Sequence, residues 1–157
     1  MTAETERLKF LASVVEREAT HLGSTADRLF QGQQVTEDRV NHWIGSLDLS
    51  ERLDAFVVRF GRLQDTVGDK LIPRLLAFLG EQTGPAMDNL DKAERFGWIS
   101  SADDWIAHRR LRNQMIHEYI DDPMVLAAAL EAGRQWVAPM SQSALKLADE
   151  IRRRLGH

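Results

Sequence analysis

The chain has 157 residues, 43% of them hydrophobic and 28% charged, and carries a formal net charge of −4. That length suits one compact domain over residues 1–157; the composition excludes a disordered or membrane-spanning chain, and the acidic balance excludes a protein that coats nucleic acid through a broad basic field. The absence of cysteine rules out disulfides and thiol catalysis, and the N-terminal MTAETERLKF lacks the apolar stretch of an export signal, so a cytoplasmic location is expected.

In chain order, Leu8, Leu11, Val15, Leu22, Ala26 and Leu29 recur at helical steps and predict a first helix from about Glu4 to Phe30, ended at Gly32. A short helix carrying Val40, Trp43 and Ile44 follows Thr36. Asp48 with Glu51 reads as a capping box that opens a third helix, whose apolar face is Leu53, Phe56, Val57, Phe60, Leu63 and Val67. Pro73 is expected to kink or divide it, since proline removes an internal hydrogen bond and crowds the preceding turn. Gly84 and Pro85 start another helix, with Pro85 in its first position, running toward Phe96 and Gly97. Ser101 and Asp104 fit a second capping box. The helix they open is closed by Asp122 and Pro123, which begin a last helix reaching about Leu155 and bent at Pro139. Alternating β-branched runs are missing, so the fold class is all-α, an up-and-down bundle of about five to six helices.

Residues 109–120 read RRLRNQMIHEYI, and Arg112, Asn113, His117 and Tyr119 within them suggest chemistry rather than packing. Arg112 and Tyr119 project from nearly one line of a helix at about 100° per residue, flanked by Trp105, Met115 and Ile116. An unpaired guanidinium on such an apolar face costs on the order of several kcal/mol, so something must compensate it. The bland account is a snorkelling Arg112 paired with Glu118, Asp104 or a carboxylate of another helix, beside a surface His117 and a packed Tyr119. Trp43, Trp98, Trp105 and Trp136 read as core or dimer-interface anchors. His108 either lines the cleft of Arg112 or faces solvent, and Arg152, Arg153 and Arg154 form a solvated helix end. No metal or cofactor is expected: the histidines at 21, 42, 108, 117 and 157 never share a helical face at three- or four-residue spacing. The Asp103-Asp104 and Asp121-Asp122 pairs look like caps, and neither a glycine-rich phosphate loop nor a Gly-x-Ser-x-Gly elbow is present.

Arg112-Asn113-x-x-x-His117-x-Tyr119, placed late in a small all-α chain, resembles the HEPN superfamily, specifically its HepT-like toxin group, over about Leu49 to Met140. The group pattern is Arg, a polar residue, three further residues, His, any residue and Tyr; Gln114 and Met115 depart from its aliphatic tendency. The resemblance implies a metal-independent endoribonuclease toxin whose cleft forms between two copies in a homodimer. RNA cleaves when its 2′-hydroxyl attacks the adjacent phosphate, so the enzyme needs proton transfer and a cation for the developing charge. His117 would move the proton, as imidazole does near neutral pH. Arg112 would grip phosphate oxygens with its planar fork, and Asn113 would orient the imidazole or the RNA. Arg112 and His117 lie about 140° apart around the helix, so a two-fold partner is needed to bring one copy's arginine to the other's histidine. In the HepT group an MNT-type nucleotidyltransferase antitoxin attaches AMP to the tyrosine, which implies Tyr119 here, the single tyrosine of the chain. The alternative is a non-catalytic member that docks a nucleotidyltransferase, a role that suits the acidic balance.

Overall fold

Every regular element in the computed structural model, which describes residues 2–117 and 121–157, is helical. The first helix, α1 (Ala3–Phe30), begins where Thr2 accepts the N–H of Thr5, and ends at Gln31 and Gly32, with φ of 54° and 70°. Arg39 closes that end: its guanidinium donates to the carbonyls of Phe30, Gln33 and Gln34 and lies over the Trp43 ring. Thr36 caps α2 (Glu37–Ile44).

The next helix, α3 (Leu47–Asp65), is capped by Ser46, whose hydroxyl accepts from Leu49 N–H at 3.3 Å. Asp48 is therefore not the cap; it lies in the first turn and pairs with Arg52 at 3.1 Å. Both residue types can cap, and the extended backbone at Ser46 (φ −110°, ψ 125°) decides between them. Nor is the helix divided at Pro73. Thr66–Leu71 form a π-helical turn that joins α3 to α4 (Ile72–Phe78). Ile72 N–H bonds the carbonyl of Val67, five residues back rather than four, so the ladder has already shifted where proline has no N–H to give.

Pro85 stands just outside α5 (Ala86–Arg95) instead of opening it. Two side chains satisfy the first N–H groups of α6 (Ala102–His117): Ser101 Oγ accepts from Asp104 at 3.1 Å, and Glu94 of α5 accepts from Ala102 at 2.7 Å. The last helix, α7 (Pro123–Leu155), is capped by Asp122 and continues through Pro139.

With α3, the π turn and α4 taken as one, the described residues form six rods. Side-chain pairs fix their directions. Glu16 meets Arg152, Thr25 meets Arg59, Arg112 meets Asp65, and His108 stacks on Trp136 while Met115 reaches Gly133. Each of these pairs runs antiparallel, so α1, the α3–α4 rod, α6 and α7 make an up-and-down helical bundle, with α2 and α5 as short connections. One contiguous core fills it, with Phe30 edge-on to Phe56 at 4.8 Å and Trp105 edge-on to Trp136 at 5.8 Å. All four tryptophans belong to that core. Among the described residues no helix is long and apolar enough to cross a membrane.

Candidate functional site

α6 carries few apolar anchors. Ala102, Trp105 and Met115 are buried along it, Ile106 and Leu111 pack partly buried on the core, and neighbouring glycines make room for two of its side chains. Gly133 of α7 lies under Met115, where an added Cβ would stand 2.5 Å from Met115 Cε and 3.6 Å from the Phe60 ring. Gly61 of α3 lies under Arg112, where a Cβ would stand 2.6 Å from both Cδ and Nε.

That second notch corrects the expected placement of Arg112. The residue is nearly in line with buried Trp105, yet its side chain is 44% exposed, because the stem crosses Gly61 and the head emerges beside α3. There Nη1 donates to Asp65 Oδ2 at 2.8 Å, within the same chain. Ile116, expected on the same apolar face, is 51% exposed. One turn earlier Arg109 pairs with Asp69 at 3.2 Å, making a second rung between α6 and the α3–α4 rod. Pairs this exposed contribute about 0–1 kcal/mol, so another anion could displace either carboxylate at small cost.

Near Asp65 lies Glu18 of α1, with one buried carboxyl oxygen that has no hydrogen-bond partner. Burial pushes its carboxyl above the ordinary range; Thr66, Arg62 and Lys70 oppose the shift, and the Asp65 charge adds to it.

His108 faces α7, not the Arg112 side. Its ring lies flat on Trp136 at 4.1 Å and 4°, and Nδ1–H donates to the Asp104 carbonyl at 2.5 Å. Asn113 and His117 are exposed on the C-terminal half of α6, and their side chains make no hydrogen bond or ion pair among the described residues. Tyr119, the expected site of AMP addition, lies outside the described residues. Arg112, Asn113 and His117 thus share half of one helix, but no hydrogen bond among the described residues brings them together. Arg152 ties α7 to Glu16 of α1, and Arg153 and Arg154 both pair with Glu150.

Sequence reading missed Gly61, Asp65 and Asp69. A glycine inside an otherwise strong amphipathic helix, followed at four-residue steps by two aspartates, is the signal that could have matched Arg109 and Arg112 to this rod. Among the described residues no group of His, Asp or Glu side chains could hold a metal ion. No family model, curated protein or solved structure matches the chain.

Proposed function

We propose that this protein is a metal-independent endoribonuclease of the HEPN type, acting as the toxin of a pair with an MNT-type nucleotidyltransferase. The observation that carries the reading is the openness of α6: Arg112, Asn113 and His117 are all exposed, and the last two have no partner among the described residues. Side chains free in this way can meet a ligand without first breaking a buried network. Among the described residues Arg112 commits one donor to Asp65, which leaves the remainder of its fork for phosphate oxygens. A second copy, related by a two-fold axis, would set its own His117 against that fork.

In the reaction, one imidazole accepts the proton of the ribose 2′-hydroxyl as its oxygen attacks phosphorus. The P–O5′ bond then breaks, the leaving oxygen takes a proton, and the products are a 2′,3′-cyclic phosphate and a 5′-hydroxyl. Arg112 neutralises the charge that grows on the non-bridging oxygens. Addition of AMP to Tyr119, seven residues from Arg112, would bring a competing anion to the same guanidinium and silence the site.

Induced expression in a bacterium tests the reading directly. Growth arrest is expected, relieved by Arg112→Ala and by His117→Ala; purified protein should cut RNA in excess chelator and leave cyclic phosphate ends. One observation favours the second reading, a non-catalytic subunit that docks a nucleotidyltransferase. Arg109 and Arg112 are both paired with aspartates of their own chain, which lowers the positive field an RNA would meet. Normal growth and intact RNA with the unmodified protein would put that reading ahead.

A further inference from the structure

We propose that Gly61 and Asp65 are positioning residues for the Arg112 guanidinium, an inference that rests on the nuclease reading above. Glycine is among the poorest residues for a helix interior. Gly61 is nevertheless buried inside α3, four residues before its end at Asp65, and its φ is not positive, so backbone conformation gives no reason for it. Space gives one. The Arg112 stem occupies the position of the missing side chain, with Cδ and Nε both 2.6 Å from where a Cβ would be. Asp65 stands one turn further along the same face of α3 and receives Nη1 at 2.8 Å. The notch holds the stem and the carboxylate holds the head. A long side chain that would otherwise sample many rotamers is thereby aimed before any ligand arrives. Of the guanidinium donors only Nη1 is committed among the described residues, so an edge of the fork stays open for two oxygens of a phosphodiester.

Gly61→Ala tests the notch, because its methyl group would displace the stem without removing any group from Arg112. With a mixed-sequence fluorescent oligoribonucleotide, kcat should fall about 100-fold, the loss expected for a misplacement of about 1 Å. KM should stay within about twofold, because the fork acts mainly on charge that develops in the transition state. Asp65→Ala should act in the same direction, and Asp65→Asn, which keeps an acceptor, should be milder. Unchanged kcat in both Gly61→Ala and Asp65→Ala overturns the proposal.

Two further readouts do not depend on activity. The Arg112 Nε–H resonance of nitrogen-15-labelled protein, assigned by its loss in Arg112→Ala, should move in Gly61→Ala and in Asp65→Ala. The unfolding temperature should respond more favourably to Gly61→Ala when Arg112 is already alanine, since the methyl group then enters vacated space. If the unmodified protein cuts no RNA while both readouts behave this way, the nuclease reading fails and the positioning role stands. A resonance that stays in place, with additive effects on unfolding, removes the positioning role whatever the RNA result.

Discussion

Glu131 of α7 accepts from Arg134 Nε at 2.9 Å and Nη2 at 2.7 Å, from the backbone N–H of Val35 at 2.9 Å, and from Gln135 at 2.8 Å. The Arg134 guanidinium first, then Val35 and Gln135, hold its carboxyl down at about 2 against the opposing effect of burial. A depressed carboxylate stabilises the fold above its unfolded value, and this contribution is lost as pH falls from about 4.5 toward 2. Glu131→Gln should therefore cost on the order of 2 kcal/mol at pH 7 by urea unfolding, and little at pH 2. Glu18 has the opposite sign. Its raised carboxyl binds the proton more tightly in the folded state, so stability declines as pH rises above the ordinary value of 4.5. Glu18→Gln should raise the unfolding temperature at pH 7 and leave it unchanged at pH 3.5. At this scale the sequence showed which side chains on α6 were unusual, but not their partners. On sequence grounds Arg112 needed compensation for an apolar face; the structure relieves it by exposing the head group and adds Asp65, 47 positions away, a pairing that depends on how two rods are set side by side.

Two glycines, Gly61 and Gly133, set how closely the side chains of α6 approach α3 and α7. Gly133→Ala would add a methyl group where Met115 Cε already lies, beside Phe60. Alanine improves helix propensity by up to about 1 kcal/mol, but overpacking a closed core costs about 1–3 kcal/mol, and Met115 is fully buried. Net destabilisation is expected in chemical denaturation, and Met115→Ala should cost less in that background than alone. The long elements were legible because apolar residues recur along them at helical steps: α1 and α7 end within a residue or two of expectation. The start of α3 was misread because Ser46 and Asp48 are both competent caps. The π turn had no sequence signal except Pro73, and proline alone does not say whether a helix breaks, bends or changes its ladder.

At the scale of the whole molecule, large apolar side chains lie exposed at the end of α6 and at the start of α7. Ile116 is 51% exposed, and Met124 and Val125 at the start of α7 are 66% and 37% exposed. A two-fold pairing along α6 would cover such groups and bring two copies of Arg112 and His117 to one groove. Sedimentation should then give about twice the chain mass of 17.9 kDa, and Ile116→Glu should shift the protein to monomer without lowering its helix content. A monomer at micromolar concentration with full cleavage activity would contradict the shared groove. The all-α, up-and-down class followed from the missing β-pattern. The residue groups that Arg112, Asn113 and His117 would form across two chains cannot be read from one chain's sequence, since they require a symmetry operation. The π turn has its own consequence for how this fold tolerates changes in length. Bonding five residues back stores one residue of slack in the rod, level with the Arg109–Asp69 rung. Excising Gly68 would draw that slack out, press the Pro73 ring against the Asp69 carbonyl and swing the Asp69 side chain about 100° away from Arg109. The rod can be shortened there only by giving up both its proline and a rung, whereas the loop between Gly80 and Pro85 can lose a residue without either loss.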